Sequence, residues 1–151
     1  MKDTIKDIID DVLTRLEDPE VGIQNTKEAR DLIFETGNAE TGYRHLEQMG
    51  GGPAVSFFQL EANTIKDIWD NYIVYRKPLV RQAYELGFIE GEKVFSVMTN
   101  VAVAVFFARI YYRRKPGAIP ETMEDRASYW KKHYNTEGGK GTVKHYVEAN
   151  L

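Results

Sequence analysis

The run from Val94 to Ala108 constrains the fold of this chain more than any other segment. Its apolar side chains fall on every face of a helix rather than along one stripe, and from Val101 to Phe107 no polar residue interrupts them. A helix that is apolar all round must be wrapped by other elements or by lipid. A spanning helix needs roughly 20 apolar residues in sequence, and Ser96, Thr99 and Asn100 break the run short of that. The pattern therefore predicts no membrane span but a long buried central helix over residues 92–114, with the rest of the chain packed around it.

The rest of the chain supplies the wrapping helices. Ile5, Ile8, Ile9, Val12, Leu13 and Leu16 recur at helical spacing and predict an amphipathic helix over 2–17, closed by Asp18-Pro19. Asn25 or Thr26 caps a second helix through Ala29, Leu32, Ile33 and Phe34, with Gly37 in the left-handed position at its end. A third, over 63–76, turns Ile65, Ile68, Trp69, Tyr72 and Ile73 inward. Pro78 opens a fourth that ends at Gly87, Thr122 caps a helix through Trp130 and Tyr134, and a last helix follows Thr142. Between 38 and 60, Gly42, Gly50, Gly51, Gly52 and Pro53 break any helix and leave at most a short extended piece near 55–58. The expected class is all-α with at most one small hairpin. Its 151 residues suffice for one domain with its own core.

Charge and composition narrow the chemistry. With 20 basic and 23 acidic residues the net charge is −3, so no global basic field gathers nucleic acid or an anionic membrane. A local basic patch remains around Arg109, Arg113, Arg114 and Lys115. Cysteine is absent, which excludes disulfides and thiolate metal sites. His45, His133 and His145 stand apart from one another and from acid pairs at ligand spacing, and the glycines at 50–52 lack the Lys-Ser/Thr of a phosphate loop. No metal and no cofactor are expected.

One acid stands out. Ala39-Glu40-Thr41-Gly42 places Glu40 near a helix end, a glycine-rich loop follows, and Gln59 comes 19 positions after the acid, just ahead of the next helix. A carboxyl that delivers a proton near neutral pH must be held protonated, which burial against apolar groups achieves. Leu46, Phe57 and Phe58 are candidates for that surface. Glu35, inside the second helix, is expected to pair with a basic neighbour or face solvent, and Glu47 to be solvated. Glu61 serves either a helix start or a groove as its second carboxylate. Gln59, between two core residues, needs a backbone partner or a sugar hydroxyl or N-acetyl group. Tyr134-Asn135, ahead of Gly138-Gly139-Lys140-Gly141, reads either as a helix end or as the second wall of a groove.

In order along the chain, these segments resemble the lysozyme-like lytic transglycosylases, the family that includes goose-type lysozymes and many phage virion-associated murein-cleaving proteins. Ala39-Glu40-Thr41-Gly42 is similar to the family's Glu-Ser signature, Ser56-Phe57-Phe58-Gln59-Leu60 to its Gly-Leu-Met-Gln element, and Tyr134-Asn135-Thr136 to its Ala-Tyr-Asn-Ala-Gly element. The likeness covers about residues 28–150 and leaves the first helix, residues 1–18, ahead of it. Ser56 stands where the family has glycine and Phe58 where it has methionine.

The resemblance implies Glu40 as the catalytic acid and then base, acting on the bond between N-acetylmuramic acid and N-acetylglucosamine. It implies Thr41, Ser56, Phe58, Gln59, Tyr134 and Asn135 as substrate-binding residues and peptidoglycan glycan strands as the partner. No second carboxylate is required, because the sugar's own groups complete the reaction as a 1,6-anhydro product. With no apolar signal core among the first residues, the implied setting is a phage virion, alongside other virion proteins. The alternatives are a non-catalytic adaptor on the same scaffold, which the changes at Ser56 and Phe58 motivate, and a cytoplasmic endolysin.

Overall fold

The structure, a computed structural model, describes residues 1–136 and 138–151. Glu40, Gln59, Tyr134 and Asn135 all lie within these bounds. The described residues form an all-α fold with one small hairpin. Its helices are α1 (Lys2–Arg15), α2 (Lys27–Glu40), α3 (Ala62–Asn71), α4 (Lys77–Glu85), α5 (Lys93–Thr99), α6 (Val101–Arg113), α7 (Met123–Trp130) and α8 (Val143–Ala149). The hairpin joins β1 (Ala54–Val55) to β2 (Leu60–Glu61), antiparallel, with Ala54 opposite Glu61 and Val55 opposite Leu60.

At the centre is α6, where every residue from Val103 to Ile110 is buried. It packs against α1, α2, α3 and α5. The first helix is thus part of the core: Ile5, Ile9, Val12, Leu13 and Leu16 bury against the same cluster. The long helix expected over 92–114 is in fact two, α5 and α6, bent by 102° at Asn100. Asn100 leaves helical geometry, its side-chain oxygen accepts from Val103 N at 3.1 Å, and its Nδ2 donates to Leu86 O at 2.8 Å. A half-buried asparagine that caps the next helix and ties down the preceding loop outweighs the continuity of the apolar run. No single helix among the described residues is long and apolar enough to cross a membrane.

The second helix also differs from expectation. It continues past Gly37 to Glu40, and Gly42, at φ +60°, takes the left-handed turn instead. Gly37 has another role: a Cβ there would overlap the ring of Tyr43, which folds back on α2 and donates its hydroxyl to Phe34 O at 2.9 Å. The third helix stops at Asn71 and passes into a tight turn over Ile73–Tyr75. The seventh stops at Trp130 and widens into a π turn over Lys131–Asn135, a rare form recurrent at functional sites. The extended piece expected near 55–58 is β1 followed by the hairpin tip.

Candidate active site

A second, smaller core of Ala39, Ala127, Trp130 and Tyr146 joins α2, α7 and α8. Over it opens a cleft of about 800 Å³. Glu40, the last residue of α2, lies on its floor. Gln59 comes to it from the hairpin tip and Tyr134 and Asn135 from the π turn, so four of the residues singled out in the sequence share one space.

The Glu40 side chain is held by Trp130, whose Nε1–H donates to Oε2 at 3.0 Å. No other protein donor reaches the carboxyl among the described residues, which leaves Oε1 to carry a proton. Burial pushes the Glu40 pKa up to about 7, and the indole hydrogen bond, which favours the carboxylate, only partly opposes it. Its place at a helix C-terminus, where negative charge is disfavoured, acts in the same direction as burial. The surface that buries Glu40 is not the one expected: Leu46 is exposed, and Phe57 and Phe58 pack edge-on against Tyr43, away from the cleft.

Three expected contact residues face inward. The Thr41 hydroxyl donates to Phe57 O at 2.8 Å and accepts from Tyr43 N at 3.1 Å, tying α2 to the hairpin. Ser56 is buried, with its Oγ accepting from Phe58 N at 3.1 Å, and Phe58 is completely buried. None of the three lines the cleft. The reason is backbone: Ser56 and Gln59 take φ of +72° and +51°, so the hairpin tip turns sharply and sends Phe58 into the core while Gln59 faces outward. That left-handed conformation at Ser56 is one glycine adopts without cost. Gln59 lines the cleft and donates Nε2 to Ser56 O at 2.8 Å, which fixes the amide and leaves its oxygen without a protein donor among the described residues.

Tyr134 joins the two walls. Its hydroxyl donates to Phe58 O at 2.6 Å, and its ring stacks on Tyr112 with centroids 5.0 Å apart. Asn135 accepts from Lys131 Nζ at 2.9 Å. Beside it Thr136 sits at φ +68°, a strained conformation for a β-branched residue, at the cleft edge. Gly139 and Gly141 let the following loop lie against Asn135 and Trp130, where a Cβ would collide. At Gly141 that atom would lie 2.5 Å from Trp130 Cη2. Gly141→Ala is therefore expected to cost about 1–3 kcal/mol in thermal unfolding by displacing the indole, and to lower any activity that depends on Glu40.

Several cleft residues were not legible in the sequence. Trp130, the partner of Glu40, lies 90 positions from it. His145 faces Ala39 O across 2.7 Å through Nε2 and so sets α8 against the end of α2. Glu61 is exposed on the cleft rim, whereas Glu47 is solvated off it. Glu35 has the basic partner anticipated, but not a neighbour in sequence: Arg126 holds it through two bonds of 2.8 Å, and Tyr146 Oη donates to Oε1 at 2.8 Å. No cluster of three or more His, Asp or Glu suited to a metal ion occurs among the described residues. Comparison with protein-family models, with curated proteins and with solved structures finds no match to this chain.

Proposed function

We propose that this chain cleaves peptidoglycan glycan strands as a lysozyme-like lytic transglycosylase, with Glu40 as its single acid–base group. One observation carries the reading: a carboxyl raised to about 7 by burial, on the floor of an open polar cleft with an amide-bearing wall on each side. Protonated Oε1 gives its proton to the glycosidic oxygen as the C1–O bond breaks. The resulting carboxylate takes the proton of the sugar's 6-hydroxyl as that oxygen closes on C1, which regenerates the acid and leaves a 1,6-anhydro end. Gln59 and Asn135 supply amides for the sugar's hydroxyl and N-acetyl groups, and Tyr134 sets the spacing between the walls. The open cleft, free of Phe57 and Phe58, favours an enzyme over an adaptor on the same scaffold.

A second reading, hydrolysis with two carboxylates, is favoured by one observation, the presence of Glu61 on the rim. Mass spectrometry of muropeptides from digested sacculi separates the two. Anhydro ends that persist in Glu61→Gln are the expected result. Reducing ends that vanish in Glu61→Gln establish the hydrolase, and no product from several wall types sinks both. The proposed setting is a phage virion, where the protein is expected in purified particles. A free endolysin would be missing from them, and its loss would delay lysis.

The pH profile follows from the raised acid. Protonated Glu40 is lost above pH about 7, so kcat/KM is expected to fall about tenfold per unit beyond that point. In Trp130→Phe the hydrogen bond favouring the carboxylate is gone, and the alkaline limb is expected to move to higher pH. A limb unmoved by this change would mean another group sets it.

A further inference from the structure

Arg109, in the middle of α6, is 6% exposed, yet its guanidinium has no counterion among the described residues. Its Nε is shut off from solvent without a hydrogen-bond partner. The charged or polar groups that act on it are Arg113, one turn further along α6, with Tyr129 from α7 and Tyr72 from the end of α3. The loss of water, and after it the neighbouring Arg113, push its proton affinity down, to a pKa of about 10. Burying a guanidinium without a counterion is costly, and Tyr129 and Tyr72 offset that cost only in part.

The surroundings carry the same sign. Arg76 lies over the ring of Tyr72 at 3.6 Å and Arg114 over the same ring at 5.5 Å. Lys115 lies over Tyr111 at 4.6 Å, and Lys115 and Lys132 both act on His133, whose ring meets Tyr129 at 4.5 Å. Arg76, Arg113, Arg114 and Lys132 are exposed. The one carboxylate ion-paired within this group is Asp67, held by Arg114 at 2.9 Å. In a chain of net charge −3 such a concentration of cations is local, not a consequence of composition. Its buried member is set apart from the cleft: α6 offers Tyr111 to the cleft, and Arg109, two positions earlier, lies on roughly the opposite face of the helix, while Lys115 over Tyr111 borders the cleft.

We propose that Arg109 and Arg113, with the Tyr72 and Tyr129 hydroxyls, form a binding site for a phosphate oxyanion, and that Arg76, Arg114, Lys115 and Lys132 accommodate further phosphates linked to it. A tetrahedral oxyanion suits the arrangement because it can accept from two guanidinium forks and two hydroxyls at once. It also supplies the negative charge that the buried Arg109 lacks. The site is independent of the reading of Glu40.

Calorimetric titration of the full chain with inorganic phosphate and with tripolyphosphate, at matched ionic strength, tests it. Saturable binding at one equivalent is expected, and Arg109→Met should weaken it about 10- to 100-fold, the range for a lost charge-assisted contact. Markedly tighter tripolyphosphate is the expected result; comparable affinity for the two probes would overturn the assignment of Arg76, Arg114, Lys115 and Lys132 to further phosphates. Without ligand, Arg109→Met should melt no lower than the wild type, because no protein partner is left unpaired. The proposal is overturned if neither probe binds, if Arg109→Met binds as well as the wild type, or if sodium chloride at equal ionic strength reproduces the heat. A clear loss of stability in unliganded Arg109→Met, or a dimer that this change dissolves, would assign the guanidinium a protein counterion instead and also overturn it.

Discussion

Replacing Glu40 with glutamine is expected to remove cleavage and, at the same time, to raise the melting temperature above neutral pH. Loss of a general acid costs about 10²- to 10⁴-fold in rate. The stability effect has the opposite sign and a calculable pH window. The folded chain holds the Glu40 proton up to pH about 7, while the unfolded chain releases it near the ordinary value of 4.5. Between those values the folded state binds the extra proton, so stability falls as pH rises, and above about 7 the whole contribution is lost. A shift of this size corresponds to at most about 3 kcal/mol. Glutamine carries no charge and keeps an oxygen for the Trp130 Nε1–H, now 3.0 Å from Oε2. The variant should therefore match the wild type below pH about 4.5 and melt roughly 6–12 °C higher at pH 8. A variant that is less stable at pH 8 would show that the carboxylate is well solvated or paired, and would remove the physical basis for Glu40 as an acid.

This opposition between activity and stability also marks which parts of the site sequence reasoning can reach. Local signals were readable because their physics is local. Thr26, Thr122 and Thr142 each accept from the backbone three residues on, as their position ahead of an apolar-periodic run predicts. Asn100 is the same chemistry in disguise: within an apolar run it looks like an interruption, and only the Leu86 carbonyl reveals it as a cap. Gly37 misleads for a related reason, since a glycine near a helix end suggests termination and the Tyr43 ring that requires it is a tertiary neighbour. At the site, Glu40 and Gln59 are close in sequence and were readable together. Ser56 and Phe58 were not, because two successive reversals of φ decide which side chains of the tip face the cleft. Trp130 was out of reach altogether. Nothing in an amphipathic helix says that one of its indoles meets a carboxyl 90 positions earlier.

The largest structural penalty is expected at Arg126. Arg126 and Trp130 lie one turn apart on α7 and face α2, where they take Glu35 and Glu40 respectively, so two polar pairs brace the same two helices. The Arg126 guanidinium is 6% exposed and meets both Glu35 oxygens at 2.8 Å, a bidentate geometry, while Nη1 donates to Glu121 O at 2.7 Å and pins the loop before α7. Arg126→Met fills much of the same volume but leaves the Glu35 carboxylate buried with only the Tyr146 hydroxyl. Removing one partner of such a pair costs about 3–5 kcal/mol, measured by denaturant unfolding at pH 7. Most of that cost is the stranded charge, so adding Glu35→Gln to Arg126→Met should recover a large part of it, and the double-mutant cycle should show strong coupling. A loss below about 1 kcal/mol would class the pair with solvent-exposed bridges. The functional consequence separates the brace from the chemistry. Well below its melting temperature Arg126→Met should retain measurable cleavage with the alkaline limb still near pH 7, because Trp130 and Glu40 remain, whereas Glu40→Gln should be slower by about 10²- to 10⁴-fold at every temperature.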